Sequence, residues 1–313
     1  MNIIFFHPTF NADEWIQGIQ SRLPDAKVRQ WIRGDTRPAD YALAWLPPYE
    51  MLANRQEIKG IFALGAGVDS ILKQELKKPG TLPEGVPLIR LEDTGMAKQM
   101  QEYTVASVLH YFRRMDVYRQ YQAQRLWKPL PPHNREDFVI GVLGAGVLGS
   151  SIIEQLKLLG FHMRCWSRTP KQFDGVESFY GNEQLSDFLS ESKVLINVLP
   201  DTSETRGILN LSLFSQLKSG SYVINIARGS QLVEQDLLVA IDKGYIAGAT
   251  LDVFVEEPLS ELHPFWTHPR ITITPHIAAI TIPEQAMDAI CENIRRMERG
   301  ELPSGIVDIN RGY

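Results

Sequence analysis

The chain has 313 residues, and at about 150 residues per domain that length predicts two domains. Acidic residues outnumber basic ones, 37 to 32, for a formal charge of −5, which argues against a general nucleic-acid binder with its basic face. Charged residues at 22% and hydrophobic ones at 44% exclude wholesale disorder, and the longest apolar stretch, residues 138–149, falls short of the ~20 residues a membrane-spanning helix needs.

The opening MNIIFFHPTF lacks the basic region, longer apolar core and cleavage site of a secretory signal. Short apolar runs then recur between helix-like segments, the pattern of a parallel α/β sheet. In the first third, residues 2–6, 41–45, 60–65 and 87–90 read as strands, and 12–22 and 69–78 as helices. Residues 96–127 carry no proline or glycine and predict one long amphipathic helix, suited to covering its own sheet or packing on another subunit. PLPPHN (129–134) ends it. A second series predicts strands at 137–144, 162–167, 194–200, 222–227, 246–254 and 271–276. Helices at 147–159, 183–190, 210–217 and 234–243 lie between them, and a last helix covers 283–299. Cys165 and Cys291 lie far apart with no metal-like spacing. Thiols this sparse suit a reducing cytoplasm, although two cysteines alone leave a disulfide open.

The run VIGVLGAGVLG carries Gly144-x-Gly146-x-x-Gly149 between an apolar strand and an amphipathic helix. That context turns a weak motif into a dinucleotide-binding turn. Gly144 permits the tight turn, Gly146 lets the backbone approach a pyrophosphate, and Gly149 allows close helix packing. The first helical amides, at Val147 and Leu148, face the phosphates with the positive end of the helix dipole. The next strand ends in Ser167-Arg168-Thr169-Pro170-Lys171, where an NAD site usually carries a carboxylate. A guanidinium and hydroxyls there suit a 2′-phosphate. The expected cofactor is therefore NADPH, with NADH weaker.

Three polar residues close later apolar strands: Arg228, Glu257 and His276. Ligands of open α/β sheets bind beyond the carboxyl ends of the strands. These types suit reduction of a 2-keto acid. Arg228 can hold a carboxylate bidentately, and protonated His276 can deliver a proton to the developing alkoxide. Glu257 can orient the far ring nitrogen and favour the protonated ring. Glu256, His263 and His268 compete for these roles on spacing alone.

In order along the chain, GxGxxG, N-x-ARG (225–229), LDVF-x-x-EPL (251–259) and TPHIA (274–278) resemble the D-isomer-specific 2-hydroxyacid dehydrogenase family across roughly residues 60–280. The resemblance implies that Arg228 binds substrate, His276 is the acid/base and Glu257 its partner. It also implies that Ala66, Gly67 and Val68 of LGAGVD cradle the substrate carboxylate with backbone amides. Nicotinamide contacts are implied near Ile226, Asp252 and Ala278, and adenine-side packing by Leu199 and Pro200. Within the family, LEDTGMAKQMQEY, WSRTPK, TPHIAAIT and the final RGY are similar to the branch that reduces glyoxylate and hydroxypyruvate with NADPH. The expected fold is two doubly wound parallel-sheet lobes: a Rossmann cofactor domain, 100–283, inserted in a discontinuous flavodoxin-like substrate domain, 1–99 and 284–313. A cytoplasmic homodimer is expected, with no metal, nucleic acid or membrane partner. The reading from another class is a dinucleotide-sensing scaffold of the same fold. Another D-2-hydroxyacid dehydrogenase is the nearer alternative, and Glu257 argues against a formate-type enzyme, whose histidine pairs with Gln.

Overall fold

The computed structural model of the chain describes residues 1–312. They divide into two compact units, one of Met1–Met96 with the segment from Thr281 onward, the other of Ala97–Ile280. The chain first lays down β1 (Asn2–Phe6), α1 (Ala12–Arg22), β2 (Lys27–Gln30), β3 (Tyr41–Ala44), α2 (Tyr49–Leu52), β4 (Gly60–Ala63), α3 (Asp69–Lys77) and β5 (Leu88–Ile89). Next come α4 (Met96–Phe112), α5 (Met115–Ala123), β6 (Ile140–Leu143), α6 (Val147–Leu158), β7 (Met163–Ser167), β8 (Glu177–Tyr180) and α7 (Leu185–Ser190). The series ends with β9 (Val194–Asn197), α8 (Leu211–Phe214), β10 (Ser221–Asn225), α9 (Glu234–Asp242), β11 (Ile246–Leu251), β12 (Ile271–Ile273) and α10 (Pro283–Glu298).

Among the described residues the first unit holds a five-stranded sheet, ordered β2-β1-β3-β4-β5, and the second a seven-stranded one, ordered β12-β11-β10-β9-β6-β7-β8. All strand pairs in both sheets are parallel. Each sheet reverses its winding once, between β1 and β3 in one and between β6 and β9 in the other. Such reversals open a crevice at the strand ends. The central strands IGVL, VLIN and SYVIN are buried at every position, because helices cover both faces of a parallel sheet. The edge strands β2 and β8 bury less. KVRQ and ESFY therefore carry polar residues and escape a search for apolar runs.

In the first unit, Asn11 caps α1 by accepting from the Asp13 amide, and Trp15 and Ile19, one turn apart, are buried. Arg22 at its far end pairs with Glu284 (2.5 Å) and Asp288 (2.6 Å) of α10. Proline in the first turn starts α10, and Met287, Ile290, Cys291 and Ile294 form its buried face. Cys165 and Cys291 are both buried free thiols, so no disulfide joins them. No helix among the described residues is long and apolar enough to cross a membrane.

The single helix expected over 96–127 is two. The backbone turns left-handed at Arg114 (φ 57°), and the second helix stops at Ala123, ahead of another left-handed residue, Arg125. Tertiary anchoring accompanies the break. The Tyr111 ring stacks on Tyr222 with centroids 4.4 Å apart, and its hydroxyl donates to the Gly220 carbonyl. Packing distant in sequence overrides helix propensity here.

Candidate active site

The glycine turn follows β6. Gly144 has φ 106°, a region that disfavours side chains, and a Cβ there would crowd the Val198 carbonyl. A Cβ on Gly149 would collide with the Gly144 carbonyl, so only glycine lets α6 start this close to the strand. Gly146 faces open space, where a ligand's phosphates can approach the backbone. Val147, Leu148 and Gly149 lie in the first turn of α6, where amides lack intrahelical partners. Beyond β7, Arg168, Thr169 and Lys171 are exposed, whereas Ser167 is buried and donates to the Thr169 carbonyl (2.7 Å). Ser167 thus shapes the basic turn with its own proton. Open space at Gly146, amides at the helix start and a basic turn without a carboxylate together fit a dinucleotide bearing a 2′-phosphate.

A buried amide network joins the later strand ends. The Gln231 side chain, fully buried, donates to the carbonyls of Leu199 (3.0 Å) and Pro200 (2.9 Å). Its oxygen accepts from the Asn197 amide group (2.7 Å) and from the Arg228 backbone N–H (3.2 Å). Asn197 also donates to Asn225 (3.0 Å), whose own amide group donates to the Arg228 carbonyl (3.2 Å). Leu199, Pro200 and Arg228 are therefore held by one network whose members have partners, the condition under which buried polar groups rigidify a site. Asn197 carried a sequence signal, a polar residue inside an apolar strand. Gln231 carried none.

Arg228, Glu257 and His276 follow β10, β11 and β12, which are neighbours in the sheet. Close packing brings their loops together. A Cβ on Gly229 would collide with the Phe254 backbone, so the Arg228 loop lies directly on the loop after β11. The Phe254 N–H donates to Glu257 Oε1 (2.9 Å), and Glu257 Oε2 meets His276 Nδ1 at 2.8 Å. Burial pushes the Glu257 carboxyl up, but hydrogen bonds from His276 and Phe254, with the charges of His276 and Arg228, outweigh it and leave the group below the usual Glu range. Glu257 is thus a carboxylate at neutral pH. It fixes Nδ1 as a donor and leaves Nε2 for chemistry. Glu256 is exposed too, so what sets Glu257 apart is its pairing with His276 and Phe254. His263 pairs with Glu234 (3.1 Å), and His268 accepts from the Arg270 amide (3.2 Å).

His276 itself is left-handed, φ 55°, an uncommon backbone for a side-chain-bearing residue. Asp252, 1% exposed, holds it there. Its carbonyl accepts the His276 N–H (2.9 Å), and its carboxylate accepts those of Ile277 (2.8 Å) and Ala278 (2.7 Å). Ile226 and Ala278 are buried beside these strand ends. In the other unit, residues 64–68 link β4 to α3. A Cβ on Gly65 would press on the Trp45 ring, and Ala66 and Gly67 are partly exposed where Val68 is buried.

The family model for the NAD-binding domain of D-isomer-specific 2-hydroxyacid dehydrogenases matches residues 105–278. The chain belongs to that family. Relatives confirm the membership along the whole length. The glyoxylate/hydroxypyruvate reductase A of Photorhabdus laumondii is 70% identical over 313 residues, covering all of both chains. The Yersinia enterocolitica protein of that description is 64% identical over the same span. Among solved family structures, a dehydrogenase from Xanthobacter autotrophicus Py2 in complex with NADPH and MES superposes with TM-score 0.93 at 37% identity, covering 100% of this chain and 99% of that one. An NADPH-dependent glyoxylate/hydroxypyruvate reductase from Sinorhizobium meliloti, with NADP and sulfate, gives 0.90 at 31%, with the same coverage. The two-sheet α/β architecture is that of the family. Of the RGY ending, Tyr313 lies outside the described residues.

Proposed function

We infer that this chain is an NADPH-dependent reductase of glyoxylate and hydroxypyruvate, forming glycolate and D-glycerate. The observation that carries the chemistry is the 2.8 Å Glu257–His276 pair, joined to the Arg228 loop through Gly229 and Phe254. The substrate assignment rests on the full-length relatives at 70% and 64% identity.

NADPH, when bound, supplies the hydride. The chain's residues do the rest. The guanidinium of Arg228 binds the substrate carboxylate and polarises the adjacent ketone. His276 gives the proton at Nε2 to the oxygen that becomes alkoxide, and Glu257 balances the charge of the protonated ring before that transfer. For cofactor contacts we propose Gly144, Gly146, Val147, Leu148 and Gly149 at the phosphates, Leu199 and Pro200 on the adenine side, and Ile226, Asp252 and Ala278 near the nicotinamide. Arg168 meets the 2′-phosphate, joined by Ser167 once its hydroxyl turns from the Thr169 carbonyl. Backbone amides of Ala66, Gly67 and Val68 are proposed to bind the substrate carboxylate. In this reading the unit 97–280 is the cofactor domain and the other is the substrate domain.

We also propose a cytoplasmic homodimer. Helix α5 buries none of its residues, and Met115, Leu126 and Trp127 are exposed around it, an apolar face suited to a second copy. Sedimentation as a monomer at micromolar concentration would remove the dimer. The function is tested by following NADPH oxidation with glyoxylate, hydroxypyruvate and a panel of other keto acids, each repeated with NADH. Turnover of the first two, faster with NADPH, is expected. No turnover across the panel sinks the reading and favours a dinucleotide-sensing scaffold.

A further inference from the structure

Tyr103 stands on α4, far in sequence from every catalytic motif, yet its hydroxyl lies 2.6 Å from Thr274 Oγ1. Thr274 Oγ1 in turn donates to Asp252 Oδ1 at 2.5 Å. The direction of the first bond follows from the second. Asp252 receives three donors, Thr274 and the amides of Ile277 and Ala278, so the single Thr274 proton is spent on it. Tyr103 must then donate to Thr274. Burial pushes the Tyr103 phenol up to about 12, against the opposing hydrogen bond to Thr274. It therefore keeps its proton at any working pH.

The receiving end of this relay is the catalytic loop. Asp252 accepts the three successive N–H groups from His276 to Ala278, one through its carbonyl and two through its carboxylate. These bonds hold the left-handed turn that carries the imidazole. A carboxylate free to rotate about its last torsion can serve those amides in several orientations. Thr274, locked by Tyr103, removes that freedom on the Oδ1 side.

We propose that Tyr103 and Thr274 are positioning residues of the reductase: the Tyr103–Thr274–Asp252 relay sets the backbone that aims His276 at the substrate ketone. The proposal rests on the role assigned above to His276. It implies that α4 takes part in setting the catalytic geometry as well as covering the sheet.

The test uses the full-length enzyme and its Tyr103→Phe, Thr274→Val and Thr274→Ser variants. Misplacement of a catalytic group by a fraction of an ångström reduces kcat by about tenfold or more. Tyr103→Phe and Thr274→Val should lose roughly tenfold in kcat, with KM for NADPH changed by less than about twofold. Thr274→Ser, which keeps the hydroxyl, should recover most of the loss. A second readout does not depend on turnover. Amide hydrogen exchange at Ile277 and Ala278 should accelerate about tenfold in both disruptive variants, while protection in the central strands stays unchanged. Wild-type kcat together with unchanged exchange at these two amides overturns the proposal. So does a loss of activity that follows a general rise in exchange across the unit, since that marks ordinary destabilisation. If the wild type reduces no keto acid, the functional reading fails, and exchange at Ile277 and Ala278 still decides the relay.

Discussion

His7 and His276 both follow a strand of a parallel sheet, one after β1 in the five-stranded sheet and the other after β12 in the seven-stranded one. Their surroundings differ in every physical respect. His7 accepts two backbone N–H bonds at Nδ1, from Thr9 (3.2 Å) and Phe10 (3.0 Å), and its ring stacks on Phe10 at 3.6 Å. Burial lowers it from 6.5 to about 4, so it is neutral at physiological pH. His276 keeps 43% of its side chain exposed and faces the Glu257 carboxylate rather than backbone donors. Position at a strand end does not separate the two. The partner of Nδ1, a donor pair in one case and an anion in the other, separates a neutral packing residue from an acid.

The largest effect that tests this comparison is at His276. His276→Ala should lower kcat for glyoxylate reduction by about a thousandfold, within the range for removal of a general acid, with NADPH still binding in a fluorescence titration. A variant turning over at near-normal rate would place the proton elsewhere. A smaller loss, roughly tenfold, is expected for Glu257→Gln. Glutamine removes the charge and offers one acceptor oxygen where Glu257 uses two, for the Phe254 N–H and for His276 Nδ1, so kcat should fall while NADPH still binds in the same titration. An unchanged kcat would leave Glu257 as a spacer only.

His7 gives the smallest effect, on stability rather than rate. Its folded value lies below the unfolded one, so the unfolded chain takes up the proton first as pH falls. The stability His7 confers is present above about 6.5 and is lost on descending toward about 4. Because the ring is only partly buried, the loss should be about 1–2 kcal/mol rather than the full conversion of the shift. Thermal melts of the wild type and His7→Phe at neutral pH and at pH near 4.5 measure it. The wild type should lose more of its Tm over that interval, and equal losses would show that His7 titrates normally.

The parts of the candidate site legible in the sequence are those set by local geometry. Gly149 announces itself because a Cβ there meets the Gly144 carbonyl of the same strand–turn–helix, and Gly144 because the turn needs its positive φ. Arg228, Glu257 and His276 stand out as polar residues closing apolar strands. What held them was hidden, because it depends on partners distant in sequence. Gln231 looks like any loop glutamine until Asn197, Leu199, Pro200 and Arg228 converge on it. Tyr103 looks like one more aromatic on a helix, and its relation to Thr274 spans 171 positions of chain. The same holds for the fold. Buried central strands read as apolar runs, whereas the bend at Arg114 comes with the stacking of Tyr111 on Tyr222, a partner distant in sequence.

The division of the first unit has a consequence for how the protein is made. Its two-residue strand β5 is extended by late residues: Arg90 donates to the Gly305 carbonyl, and Val307 donates to that of Leu88. Helix α10 supplies the acidic partners of Arg22. The ribosome emits all of residues 97–280 before any of these. Residues 97–280 can therefore begin folding on the nascent chain, while the unit that flanks them stays incomplete until the segment from Thr281 onward has been made.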